Sequence, residues 1–177
     1  MKSLALILLI TAVMTTSTTL FNFTKDANIS NWHIVDDVVM GGRSNGNFAL
    51  SKDGHGKFSG AISLENNGGF SSLRYNMETV DVSKHTKVCL KLKGDGKAYQ
   101  FRVKANKNER FSYIATFTTS SEWETITIDL KNMYPAFRGR TLDIPNFDKN
   151  TIEELAFLIG NKKAEKFELL IDAIELN

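Results

Sequence analysis

The sequence predicts an all-β domain: an antiparallel two-sheet β-sandwich of jelly-roll type, with about ten short strands and at most one short helix. Three observations carry that prediction. Apolar and polar residues alternate with period two along most of the chain, which is the signature of strands with one buried face. Turn residues separate these runs at short intervals, and β-branched and aromatic residues are concentrated within them. Only two prolines occur in 177 residues, and neither an internal repeat nor a low-complexity linker interrupts the chain, so a single domain is expected.

The N-terminus is read separately. Lys2 is followed by an apolar run from Leu4 to Met14, broken only by Thr11, and then by the small polar stretch Thr15 to Thr19. This order matches a secretory signal peptide over residues 1–19, and the run is short for a bilayer span. The expected location is therefore exported, periplasmic or extracellular after cleavage, with membrane anchoring by an uncleaved signal as the alternative. The folded domain is expected over residues 20–177.

Within that domain, Val88, Leu90 and Leu92 alternate with lysines and Cys89. Tyr99, Phe101 and Val103 alternate with Gln100, Arg102 and Lys104. Gly94-Asp95-Gly96 lies between these runs and predicts a tight hairpin, because Asp-Gly supplies the positive backbone angles of such turns. Phe111, Tyr113, Ala115 and Phe117 form a further alternating face, and Trp123 to Ile128 is rich in β-formers. In the C-terminal run, Phe167, Leu169 and Ile171 share a parity that then changes, which predicts a bulge near Asp172. Lys149 to Leu158 is the one partly helical pattern. Long loops are expected over 36–46 and 131–151.

Charge excludes some functions. Without Lys2, 21 basic side chains face 20 acidic ones, and the basic residues are dispersed. Neither nucleic acid nor an anionic membrane is implied as a partner. Membrane association would come only through a partner or the uncleaved signal. Cys89 is the sole cysteine, so no intramolecular disulfide forms, and its place in a strand run makes it a small packing residue.

No enzyme motif is present. His33, His55 and His85 are scattered, and there is neither a nucleophile elbow nor a phosphate loop. Asp36 and Asp37 are neighbours, so a strand points them to opposite faces and they do not form an acid–base pair. Asp26, Asp36, Asp37 and Asp172 are oxygen donors of the kind calcium takes, but no calcium loop frames them. No cofactor and no metal site is assigned.

Binding surfaces fit the residues better. Asp36, Asp37, Met40, Gly41, Gly42 and Ser44 form one glycine-rich segment, and Gly68, Gly69, Phe70, Ser72 and Arg74 belong to a second. Paired glycines give either a surface for close approach or a difficult pair of bends. Parity places Ser72 and Arg74 opposite Leu73 and Tyr75, and a curved sheet would gather Arg74, Arg102 and Gln100 on a polar face. Such a face suits sugar hydroxyls, or the backbone and carboxylates of a protein. Trp32 and Trp123 are expected in the core, with a sugar-stacking role as the alternative. The loop Met133 to Arg140, with Arg138, is a second candidate contact.

The chain resembles the complex I intermediate-associated protein family, of the thirty-kilodalton type. The likeness rests on Trp32, Asp36-Asp37-Val38-Val39-Met40-Gly41-Gly42-Arg43-Ser44, Phe58-Ser59-Gly60 and Asn67-Gly68-Gly69-Phe70-Ser71-Ser72-Leu73-Arg74. It continues through Lys93-Gly94-Asp95-Gly96-Lys97-Ala98-Tyr99, Phe117, Trp123, Phe137-Arg138-Gly139 and Phe167 to Ile174. The resemblance implies a galactose-binding-like sandwich related to carbohydrate-binding modules, without catalysis. It also implies a chaperone-like role in assembling respiratory complex I, so a protein partner, an assembly intermediate or an envelope protein, is expected. A glycan is the alternative ligand. Asn22 departs from the family, standing where an acid is common.

Overall fold

The alternation of apolar and polar residues becomes thirteen strands in a computed structural model that describes residues 17–37 and 41–177. They are β1 (Thr18–Asn22), β2 (Trp32–Asp36), β3 (Asn45–Leu50), β4 (Gly56–Ile62), β5 (Ser71–Asp81), β6 (Lys87–Lys93) and β7 (Ala98–Lys104). There follow β8 (Ser112–Thr118), β9 (Trp123–Asp129), β10 (Tyr134–Phe137), β11 (Arg140–Thr141), β12 (Thr151–Ile159) and β13 (Glu165–Leu176). Two 3₁₀ turns, at Glu65–Asn67 and Leu130–Asn132, are the only helical elements among the described residues. Leader residues 1–16 lie outside the described part. Thr18 and Thr19, assigned above to the leader's end, pair with Leu176 and Glu175 in β1.

Two antiparallel sheets face each other. One runs β3-β4-β13-β6-β9, with β1 also paired to β13, and the other runs β11-β10-β8-β7-β12-β5-β2. Each contributes its inward row to one core. Val88, Leu90 and Leu92 of β6 and Phe167, Leu169 and Ile171 of β13 meet Tyr99, Phe101 and Val103 of β7 and Leu155, Phe157 and Ile159 of β12. Trp32 closes one end in an aromatic cluster, stacked on Tyr75 at 4.6 Å and flanked by Phe21, Phe23 and Phe48.

The parity change in β13 has a definite cause. Its first half pairs with β4 and its second half with β1 along the same edge, and the register against β6 shifts between Ile171 and Ala173. Asp172 is the extra residue, as the pattern predicts. Its carboxylate meets His55 at 2.9 Å and Lys91 at 2.7 Å.

Three sequence expectations are corrected. Gly94-Asp95-Gly96 does not close a hairpin: β6 and β7 lie in different sheets, so the segment crosses from one to the other. Asp95 holds the crossing, accepting bonds from Tyr99 Oη (3.0 Å), Lys97 Nζ (2.7 Å) and the backbone amide of Glu168 (2.9 Å). A side chain at Gly94 would collide with Thr119, the nearest atom being 2.2 Å from its Cβ. Lys149 to Leu158 is not helical either, since residues 151–159 form β12, buried on both faces between β5 and β7. A strand covered on both faces loses polar alternation and mimics a helical run. Finally, the 131–151 stretch contains β10 and β11, which brings the strand count above ten.

Asp95→Ala leaves the Glu168 amide without its acceptor and the buried Tyr99 hydroxyl with only the Glu168 carbonyl, at 3.3 Å. A loss of about 1–3 kcal/mol in denaturant-measured stability is expected. An unchanged midpoint would show that the crossing is held by packing alone.

Candidate functional site

The Asp-Asp-containing and Gly-Gly-containing segments meet at the end of β2 and the start of β5, where Asp36 pairs with Ser71. Asp37, the next residue, is largely buried at 9% exposure. Its Oδ2 accepts the Ser44 hydroxyl at 2.8 Å, the Phe70 amide at 3.1 Å and the Gly69 amide, while Oδ1 takes the Ser44 amide at 3.2 Å. Ser44 Oγ in turn accepts the Ser63 amide at 3.1 Å. The carboxylate therefore extends the β2–β5 pairing past its last ladder pair and ties the Ser44 segment to it.

Burial alone would raise the Asp37 pKa, but the donors from Gly69, Ser44 and Phe70 outweigh it and hold it below the ordinary carboxylate value. The glycines make room for this arrangement. A Cβ at Gly42 would fall 2.3 Å from the Asp37 carbonyl, and one at Gly68 would fall 2.5 Å from Asp37 Oδ2. Gly41 has φ +86° and Gly69 has φ +142°, both in the region that favours glycine. Asn66 Nδ2 reaches the Gly41 carbonyl at 2.6 Å, and Arg43 pairs with Glu65 at 3.1 Å, so the two loops are also joined at their surface. Asp36 turns to different work and accepts the Gly46 amide at 3.0 Å. The two aspartates share no partner. Met40 lies outside the described residues.

A second group lies on the outer face of the seven-stranded sheet. Strand register places Tyr134, Ile114, Arg102, Ala156, Arg74 and His33 in one row across six strands. The next row carries Thr116, Gln100, Leu158, Ser72 and Val35. Ile114, Ala156 and Leu158 are buried yet do not belong to the central core cluster. They form an apolar floor beneath long polar side chains, whose stems cover it.

The charges on this face are unevenly matched. Glu154 lies 3.8 Å from Arg74 and 3.5 Å from Lys104, whose side chains are 31% and 12% exposed. Arg102 has no carboxylate partner among the described residues; its Nε and Nη2 donate to Gln100 Oε1 at 3.0 and 2.5 Å. Burial, and then the neighbouring charge of Arg74, push Arg102 down to about 10, so it stays charged at neutral pH. Arg74 Nε is buried without a protein partner.

The remaining residues fall elsewhere. Arg138, with Gly139, forms the turn between β10 and β11 at the sheet edge, its guanidinium 5.3 Å from the Phe137 ring. Trp32 is a core residue as expected, whereas Trp123 is 40% exposed on the opposite sheet with its ring 4.5 Å from His55. Asp26, Asp36, Asp37 and Asp172 do not converge, and no group of three ligating side chains occurs among the described residues. Sequence reasoning missed Glu154; it places His33 only among scattered histidines and Tyr134 only within the loop Met133 to Arg140. A strand assignment for residues 151–159 would have given Glu154 the parity of Ala156 and Leu158.

A family model described as complex I intermediate-associated protein 30 (CIA30) matches residues 21–171. No curated protein matches the chain in sequence. Among solved structures, the chain is similar to a family 11 carbohydrate-binding module from Clostridium thermocellum bound to a β-1,3-1,4-mixed-linked tetrasaccharide, at 20% identity and TM-score 0.66 over 90% of this chain and 94% of that one. The family 11 module of the cellulosomal cellulase Lic26A-Cel5E of the same organism gives 18% identity and TM-score 0.68, covering 93% and 95%. A family 29 carbohydrate-binding module gives 12% and 0.52, covering 92% of each chain. At these identities the likeness establishes the galactose-binding-like jelly-roll fold.

Asp37→Ala should cost about 3 kcal/mol or more, because several buried amides lose a charged acceptor together. Asp37→Asn should show the pH dependence. The folded-state pKa is depressed, so the carboxylate's contribution is complete above its unfolded value near 4 and declines as pH falls through the lower folded value. The stability gap between wild type and Asp37→Asn, measured by denaturant titration, should thus be constant at neutral pH and narrow below about pH 4. A gap independent of pH would contradict the ionised-acceptor account.

Gly68→Ala should destabilise more than Gly96→Ala. Gly68 has an ordinary φ of −70° but no room for a Cβ, whereas Gly96 has positive φ, at +79°, and nothing within 4 Å of its Cβ position. A Gly68→Ala shift no larger than that of Gly96→Ala would mean that room for Asp37 does not set the need for glycine at Gly68.

Proposed function

The chain belongs to the complex I intermediate-associated protein 30 family, and we propose that it is a non-catalytic binding domain that holds a protein partner during assembly of a respiratory or envelope complex. The working surface is the outer face of the seven-stranded sheet. The observation that carries this reading is the row Tyr134, Ile114, Arg102, Ala156, Arg74 and His33, which lays partly free polar groups over an apolar floor outside the core. A buried apolar floor under a polar rim is the anatomy of a protein contact.

The Asp37 knot supports this face rather than competing with it. Its carboxylate is engaged by the chain's own amides, and β5 leaves the knot with Ser72 and Arg74 directed to the outer face. The glycine loops contribute the rim beside that strand. The leader-like segment supports a working location outside the cytoplasm.

A second reading takes a glycan on the same face. The fold shared with the family 11 modules favours it, as do the hydroxyl, amide and guanidinium groups of Thr116, Gln100, Arg102 and Arg74.

The test blocks the face without altering its charge. Thr116 and His33 are exposed members of the two rows, so Thr116→Trp with His33→Trp adds bulk over the face and leaves the core untouched. Capture of partners from the native envelope by the tagged domain, identified by mass spectrometry, should fall by about tenfold while the melting temperature stays within a few degrees. Undiminished capture would remove this face from the proposal. Saturable binding of a neutral polysaccharide that the double variant abolishes, with no protein captured, would establish the second reading instead.

A further inference from the structure

We infer that Arg74 and Arg102 form a carboxylate-binding subsite that takes an acidic side chain of the partner polypeptide; this rests on the sheet face proposed above as the working surface. Both residues pair with Ala156, from opposite sides, so their Cα atoms stand two strand spacings apart, about 9.5 Å. Side chains of that length, rising from one face over an alanine, can converge on a single anion. The small methyl of Ala156 leaves the space between them open.

The charge balance points the same way. Arg74, Arg102 and Lys104 meet one carboxylate, Glu154, and that carboxylate stands beside Lys104 and Arg74 rather than Arg102. Two positive charges are left over on a half-buried face, with Arg74 Nε lacking any protein partner. A guanidinium in such a place costs desolvation that only an anion or good acceptors offset. Gln100 supplies one acceptor oxygen to Arg102 and leaves the rest of its fork unmatched. Paired N–H groups of this kind match the two oxygens of a carboxylate.

A polypeptide fits the face better than an acidic sugar. A pyranose ring seeks an aromatic plate, and the arginine row carries only Tyr134, at one end. The exposed large apolar side chains, Leu64, Trp123 and Ile144, lie off this row. The floor of Ile114, Ala156 and Leu158 suits the methylene groups of a glutamate.

Calorimetric titration of the whole domain with poly-L-glutamate, polygalacturonate and neutral mixed-linked β-glucan separates the cases. Poly-L-glutamate should bind wild type; Arg74→Gln and Arg102→Gln should each weaken it by about tenfold or more, and Arg102→Lys should fall between, keeping charge but losing the fork. Lys131→Gln, an equal charge change elsewhere on the surface, should stay within about twofold. The inference is overturned if poly-L-glutamate binds wild type and Arg102→Gln alike, or does not bind. Polygalacturonate binding through the arginines without poly-L-glutamate binding would overturn it in favour of a sugar acid. Native partner capture that survives Arg102→Gln yet is lost in Thr116→Trp/His33→Trp would refute the subsite while sparing the face.

Discussion

The ionised carboxylate of Asp37 is the interaction on which the start of β5, and with it the proposed working face, depends. Backbone amides at Ser44, Gly69 and Phe70 all point at it, together with the Ser44 hydroxyl. Backbone N–H groups that converge in this way commonly bind a free anion in proteins. Here the anion is supplied by the chain, at the exit of β2, and it draws two loops more than thirty positions apart into contact. The need for glycine follows from the geometry: atoms at the Cβ positions of Gly42 and Gly68 would occupy the volume of Asp37 itself. The motif is therefore a fastening. Its consequence for function is positional, because β5 begins where the fastening ends.

From that starting point the alternation of β5 determines what each face receives. Leu73 enters the core, and Ser72 and Arg74 go to the outer face, opposite Leu158 and Ala156 of β12. β7 contributes the same division, with Phe101 inside and Gln100 and Arg102 outside. Two strands that never touch thus deliver two arginines to one row, separated by the strand between them. Burying both faces of β12 is what makes this possible. Its inner residues complete the core, and its outer residues provide a floor low enough for long side chains to lie across.

How much of this was legible depended on whether the determinant was local. Strand parity is local, so the core rows of β6, β7 and β13, and the outward direction of Gln100, Arg102, Ser72 and Arg74, could be read from alternation. The bulge at Asp172 was legible for the same reason. Pairing partners are not local. Asp95-Gly96 has the composition of a hairpin, yet the chain crosses sheets because Asp95 binds Tyr99, Lys97 and Glu168, the last of which is distant in sequence. β12 was misread since burial on both faces erases the polar positions by which a strand is recognised. Glu154, the carboxylate one row along from the arginines, was lost with it. For Asp37 the residue type and the glycines were visible, but the choice between fastening and contact surface required seeing which amides turn toward it.

Shared architecture and differing chemistry have to be kept apart in this fold. The carbohydrate-binding modules that superpose on the chain do so at identities of 20% or less, which fixes the arrangement of strands and leaves the identity of outward residues free. On this chain the outer face is marked by its electrostatic state. A guanidinium placed beside a second one, over an apolar floor, is held in a less favourable state than either would have in water. Gln100 and Glu154 relieve part of that strain and leave an unmatched fork at Arg102. The stems of Arg74 and Arg102 help to cover the apolar floor, but covering it calls for their methylene groups and not for the guanidinium heads. A charge pair that folding does not need and solvation disfavours is explained by an anion that meets it from outside, and the same logic gives such a contact its selectivity: a neutral surface of equal shape would leave both guanidinium groups desolvated and unpaired.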